Sequence, residues 1–130
     1  MAKLVELKNF SDQRGNLCVL ESFQIDFGIK RLFYIYQVDH SSRGGHRHKE
    51  TYQAVICIQG SCKIYNNDGK GKKEVFELDS PSKCLLIGPA DWHIMFDFMP
   101  DAILLVAASH NYNENDYIHE RYEGDSFSFS

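Results

Sequence analysis

This sequence predicts an all-β fold, a jelly-roll barrel of two facing sheets, on three observations. Short runs of apolar and β-branched residues recur along the whole chain, separated by turn residues at close spacing. Almost nowhere do apolar residues repeat at the three-to-four spacing of a helix. The stretch Arg43-Gly44-Gly45-His46-Arg47-His48-Lys49 sets two histidines two residues apart beside a strand-like run. Both imidazoles then point to one side of a sheet.

The elements follow in order. Residues 4–10 alternate and form a first strand, which the turn 11–15 and the run 16–21 close into a hairpin. Residues 30–38 form a strong strand with Leu32, Tyr34 and Tyr36 on one face and Phe33, Ile35 and Gln37 on the other. That alternation makes Tyr34 a candidate pocket residue. The β-branched run 51–60 ends on Gly60, and 61–65 pairs with 73–78 across the turn Asn66-Asn67-Asp68-Gly69. Further strands cover 83–87, 94–98 and 102–108, the last an apolar run too short to span a membrane. Residues 113–122 read as a short helix or surface wrap, and 126–130 as poorly ordered. With no repeat and no linker, the 130 residues make one domain, 1–130.

Composition narrows the function. Hydrophobic residues at 43% and charged residues at 25% are ordinary for a soluble globular protein. A net charge of -4 argues against nonspecific nucleic-acid binding, so an anionic ligand must be met by local positive charge. No apolar run approaches 18 residues, and the opening Met1-Ala2-Lys3-Leu4-Val5-Glu6-Leu7-Lys8 alternates like a strand rather than a leader. These features predict a cytoplasmic protein with no membrane partner. Cys18, Cys57, Cys62 and Cys84 lack C-x-x-C spacing and are expected to be reduced packing residues.

His46 and His48 suit two chemistries. Two neutral imidazoles can ligate a divalent metal, or one can move protons near neutral pH while its neighbour binds substrate or holds the base. A pair of surface histidines in a basic turn is the plain alternative. The turn ending Trp92-His93 is expected to bring a second set of polar side chains to the same barrel mouth, where a small ligand fits. As a lone tryptophan, Trp92 equally suits a core position.

At this point the pattern resembles a family. Gly45-His46-Arg47-His48, followed by Gln53 and Gly60, resembles the first motif of the cupin superfamily, and Pro89-Ala90-Asp91-Trp92-His93 resembles its second. The implied fold is the cupin double-stranded β-helix. Where metal-binding cupins usually place a glutamate, this chain has Gln53, a poorer ligand for a hard or borderline cation. More closely, residues 4–122 resemble the sugar nucleotide 3,4-ketoisomerases, small cupins acting on dTDP-4-keto-6-deoxyglucose. The resemblance runs through Phe33-Tyr34-Ile35-Tyr36, the stretch 43–49, Phe76-Glu77-Leu78-Asp79-Ser80-Pro81, Pro89 with Trp92-His93, and residues 104–109 with Tyr112 and Asp116-Tyr117-Ile118.

The resemblance implies a shift of the sugar carbonyl from C4 to C3 through an enediol, with no metal and no redox cofactor. The proton on C3 is acidified by the neighbouring ketone, so a base titrating near neutrality can remove it and return it at C4. By match to the family motif, His48 is the acid/base, His46 binds or assists, and Tyr34 hydrogen-bonds a sugar oxygen or relays a proton. Arg14 and Arg43 are expected at the developing oxyanion or the diphosphate, with Gly44 and Gly45 letting the backbone approach. His93 and Arg14 resemble the members whose product is the 3-keto-6-deoxy-galactose nucleotide. The resemblance further implies a homodimer exchanging N-terminal strands, and a product destined for a 3-amino sugar of a surface glycan.

Three rivals share the fold. A 3,5-epimerase of the rhamnose pathway relies on a histidine-aspartate pair, for which the sequence offers no setting. A metal-dependent cupin enzyme would use His46, His48 and His93 as ligands. A non-catalytic nucleotide-sugar-binding cupin would need the pocket without the base.

Overall fold

The computed structural model describes residues 2–128. Twelve strands follow one another with only two single-turn 3-10 segments among the described residues. They are β1 (Lys3–Glu6), β2 (Lys8–Asp12), β3 (Gly15–Val19), β4 (Arg31–Tyr36), β5 (Arg43–His48) and β6 (Gln53–Gln59). The second half adds β7 (Cys62–Asn67), β8 (Lys73–Leu78), β9 (Lys83–Ile87), β10 (Trp92–Phe96), β11 (Ile103–Ala108) and β12 (Tyr117–Ile118). One five-stranded sheet runs β1-β9-β6-β11-β4, the other β12-β5-β10-β7-β8, and β2-β3 stand apart as a hairpin. Every pairing is antiparallel.

Alternation along the strands builds the core between the sheets. Val55 and Cys57 of β6, Leu85 and Ile87 of β9, and Leu104 and Val106 of β11 meet Cys62 and Ile64 of β7, Leu78 of β8 and Met95 of β10. Each fully buried aliphatic side chain contributes about 1.5–3 kcal/mol. On β4 the same rule turns Phe33 and Ile35 inward and leaves Leu32, Tyr34 and Tyr36 exposed.

Three expectations need correction. The single strand over residues 4–10 is two strands: Leu7, 4% exposed, drops into an apolar cluster with Ile25, Ala54 and Ile56, and the chain changes partner there. β1 pairs with β9, whereas β2 pairs with β3. The stretch 43–48 is itself a strand rather than a turn. Residues 113–122 form no helix beyond a 3-10 turn at Glu114–Asp116, because β12 pairs with β5.

The end of the chain is tied down where poor order was expected. From His119 onward it crosses the outer face of the second sheet, over Tyr65, Trp92, Ile94 and Phe96. Phe127 stacks on Tyr65 with ring centroids 3.9 Å apart, Asp125 accepts hydrogen bonds from Tyr65 and Asn67, and Tyr122 donates to the Ala90 carbonyl. Phe129 and Ser130 lie outside the described residues.

Candidate active site

A cavity of about 560 Å³ opens at one end of the barrel, a volume suited to a small ligand. Phe33 and Ile35 of β4 and Met95 of β10 give it apolar walls, while His46, His93, Gln53, Tyr117 and His119 give it polar ones. Arg43 and Glu114 stand among its lining residues and are the charged ones.

His46 and His93 reach it through local backbone geometry, and His48, which does not line it, packs against both. His46 and His48 share a face of β5, with ring centroids 4.9 Å apart. The pairing of β5 with β10 shifts register by one residue, so that His93 faces His46 whereas Ile94 faces Gly44. Gly44 and Gly45 take φ of +85° and +79°, and a Cβ on Gly44 would sit 3.2 Å from the His93 carbonyl oxygen. That bulge sets His46 against His93, centroids 5.1 Å apart. Trp92, by the same alternation, faces away from the cavity, packs under the C-terminal segment and donates its indole N–H to the His119 carbonyl at 3.1 Å. It is the core aromatic of its alternative reading.

His48 is held from behind. Its Nδ1–H donates to Oδ2 of Asp116 at 2.8 Å, and both side chains are buried. Asp116 also accepts from the Thr51 hydroxyl and from the Glu50 amide at 2.7 Å. This leaves His48 Nε2 buried and without a hydrogen-bond partner among the described residues. His93 is fixed likewise, with Nδ1–H donating to the Asp91 carbonyl at 3.0 Å and Nε2 left free. The two rings lie nearly parallel, 6.2 Å apart.

Electrostatics keeps these imidazoles unprotonated. Burial pushes His93 down to about 4, and burial followed by the nearby His93, His48 and His119 pushes His46 down to about 3. His48 is lowered by burial too, against the opposing pull of Asp116. For Asp116 burial favours the neutral acid, but the Thr51, Glu50 and His48 donors outweigh it and hold the carboxyl below its usual range. The site thus presents free imidazole nitrogens backed by an ionised carboxylate, an arrangement able to accept a proton from a carbon acid.

The structure gathers His46, His48, His93 and Arg43 and separates the other two expected residues. Tyr34, 64% exposed, lies on the outer face beside Tyr36; the pocket residues of β4 are Phe33 and Ile35 instead. Tyr117 and Tyr112 supply the phenols of the cavity. Arg14 sits at the tip of the β2-β3 hairpin, paired with Asp12 and with its side chain 86% exposed. The sequence reading missed Asp116, Tyr117 and His119. The histidine-aspartate pair for which the sequence offered no setting is present, because β12 pairs with β5 and sets Tyr117 opposite His48 across 69 positions.

A jelly-roll barrel whose open end gathers hydrogen-bonded, unprotonated imidazoles defines a cupin with a site for proton transfer. The family described as "FdtA: WxcM-like, C-terminal" matches residues 1–127. The chain is 41% identical over 120 residues to the TDP-4-oxo-6-deoxy-alpha-D-glucose-3,4-oxoisomerase of Aneurinibacillus thermoaerophilus, covering 91% of this chain and 86% of that one. Among solved structures, a double mutant of the QdtA 3,4-ketoisomerase from Thermoanaerobacterium thermosaccharolyticum, in complex with TDP, superposes with a TM-score of 0.86 at 43% identity, covering 92% and 87%. The WlaRB TDP-quinovose 3,4-ketoisomerase from Campylobacter jejuni gives a TM-score of 0.86 at 40% identity, covering 92% of each. The chain belongs to the FdtA, WxcM-like C-terminal family.

Proposed function

We propose that this chain, as a single cupin domain over 1–130, is an isomerase that moves the carbonyl of TDP-4-keto-6-deoxyglucose from C4 to C3. The observation that carries the reading is the buried, partner-free Nε2 of His48, whose ring is held through Nδ1 by Asp116 beside His46 and His93. His48 removes the C3 proton, and the C3–H electron pair becomes the C3–C4 double bond while the C4 carbonyl oxygen takes the charge. A proton moves from the C3 hydroxyl to the C4 oxygen. The double-bond electrons then take a proton at C4 as the C3 carbonyl forms, and no net oxidation occurs. Asp116 stabilises the imidazolium formed midway and keeps the proton-accepting lone pair on Nε2. His46 packs edge-on against both other imidazoles and positions them, and Arg43 receives the diphosphate at the cavity rim. His93, with its own free Nε2, protonates the face that gives the 3-keto-6-deoxy-galactose product.

Arg14 pairs with Asp12 at its own hairpin tip and does not line this cavity. The reading therefore includes a homodimer in which the β2-β3 hairpin of one copy reaches the cavity of the other. Exposed Phe10 and Leu17 on that hairpin, and exposed Leu32, Tyr34 and Tyr36 on the outer face of β4, give a second copy an apolar surface to cover. The protein works in the cytoplasm, and its product serves a 3-amino sugar for a surface glycan such as lipopolysaccharide or an S-layer glycan.

One observation favours a second reading, a metal-dependent cupin: His46, His48 and His93 each offer a ligand atom, all within 4.8 Å of one another. A proton NMR time course in deuterated water, with TDP-4-keto-6-deoxyglucose and chelator-treated protein, separates the two. A 3-keto product carrying deuterium at C4 supports the metal-independent isomerase, and the couplings at C4 assign the isomer. Turnover only after adding back a divalent metal supports the second reading. Tight binding with no label entering the sugar leaves the non-catalytic binding module.

A further inference from the structure

Arg31 is a half-buried cation of the barrel that the proposed mechanism does not use. It opens β4 on the inward row shared with Phe33 and Ile35. Its Cα is in register with Ala108 of β11, and Ala108 with Gln53 of β6, so the three lie side by side on the inner face. Ala108 is fully buried and small, which leaves room above it between the two longer polar side chains. On the other side the guanidinium stacks on Phe33, with Cζ 5.2 Å from the ring centroid, and on Tyr112 at 5.8 Å. Both rings line the cavity.

This cation is incompletely satisfied. Arg31 Nε is buried with no hydrogen-bond partner, as is Gln53 Oε1. No carboxylate of the described residues forms an ion pair with Arg31, whereas exposed Arg14 has Asp12 and half-buried Arg121 has Asp125. Of its three nitrogens only Nε is both enclosed and unpartnered, so the guanidinium keeps contact with water while no carboxylate neutralises its charge.

We propose that Arg31 is a further functional residue of the isomerase reaction, a fixed positive charge one layer behind the cavity wall that counters the negative charge developing on the sugar as His48 takes the C3 proton. The inference rests on the proposed isomerase activity. Arg31 acts through the field across Phe33 and Tyr112 and is a positioning residue rather than a group in contact with the reacting atoms. At a separation of two rings and in a medium of intermediate dielectric, such a charge is worth about ten- to a hundredfold in rate. The same field opposes protonation of His48. The other titratable groups facing that ring are Asp116 behind it, His46 and His93 beside it and Tyr117 above it.

The test compares wild type, Arg31→Met and Arg31→Lys by kcat and KM with TDP-4-keto-6-deoxyglucose, by TDP affinity in calorimetry, and by the pH profile of kcat/KM. Arg31→Met is expected to lower kcat about ten- to a hundredfold with KM and TDP affinity within threefold. Its acidic limb should move to higher pH, because His48 keeps its proton more readily once the charge is gone. Arg31→Lys should restore most of kcat and return the limb. Should Arg31→Met fail to fold, Arg31→Gln carries the same readouts. The proposal is overturned if kcat stays within threefold of wild type, or if the loss falls on TDP affinity while kcat is kept, which would assign the guanidinium to the diphosphate. Inactive wild type would instead overturn the isomerase reading itself.

Discussion

The β2-β3 hairpin and the C-terminal segment 119–128 both lie outside the two sheets, and the contrast between them is instructive. The segment 119–128 has almost no regular structure, yet its side chains are taken up one after another: Phe127 by Tyr65, Arg121 by Trp92, Tyr122 by Arg47. The hairpin is a regular ladder of five residue pairs, yet Phe10 and Leu17 stand 54% and 61% exposed. Order in the backbone and burial of side chains are thus separate matters. The first segment packs on its own barrel and, opening with His119, continues directly from Asp116 and β12. The second keeps its apolar side chains outside the packing of its own barrel.

The sharpest way to break the comparison is complementation. His48→Asn and Asp116→Ala should each lower turnover by at least about a hundredfold, since both disable the same base. Mixing these two variants should restore nothing, because each site needs both residues from one chain. Mixing His48→Asn with Arg14→Ala should restore activity, because a mixed dimer holds one site with an intact His48 and a borrowed Arg14. If neither mixture, or both, regains turnover in the NMR assay, the assignment of the hairpin to the partner and of the strap formed by residues 119–128 to its own chain fails.

A smaller effect tests the hairpin by size. Phe10→Ser with Leu17→Ser should shift the protein from dimer to monomer in analytical ultracentrifugation at micromolar concentration, and make activity depend on protein concentration. Smaller still is the strap's own contribution. Phe127→Ala removes a half-buried ring and its stack on Tyr65 and should cost about 1–2 kcal/mol in chemical denaturation, with the dimer intact.

The last prediction concerns pH. His46, His48 and His93 all hold protons less readily folded than unfolded. The unfolded chain therefore binds more protons below about pH 6.5, and stability falls as pH drops, by up to about 1.4 kcal/mol per pH unit for each imidazole. Asp116, held low, adds to the loss in the same direction below about pH 4. Thermal unfolding from pH 7 down to 4 should show a declining Tm, and His93→Gln should flatten the slope.

Much of this was legible in the sequence, for reasons tied to particular residues. The strands over 73–78 and 83–87 were visible to the residue because turn residues bound them on both sides. The H-x-H spacing was legible because a period of two needs no knowledge of the partner strand. Tyr34 misled because both rows of β4 are apolar, so alternation separates them without saying which is inside. Asp116 was beyond reach: β12 is two residues long, and its carboxylate meets His48 across 68 positions through a pairing no local pattern announces.

The single tryptophan of the chain sits one position from His93 along β10, beneath Arg121 and tied to the His119 carbonyl. Its indole touches the strap on one side and belongs to the strand of the site on the other. The protein therefore carries its own optical gauge: any event in the barrel mouth that shifts His119, or any loosening of the strap, changes the surroundings of one fluorophore, and the emission of Trp92 reads it without a label.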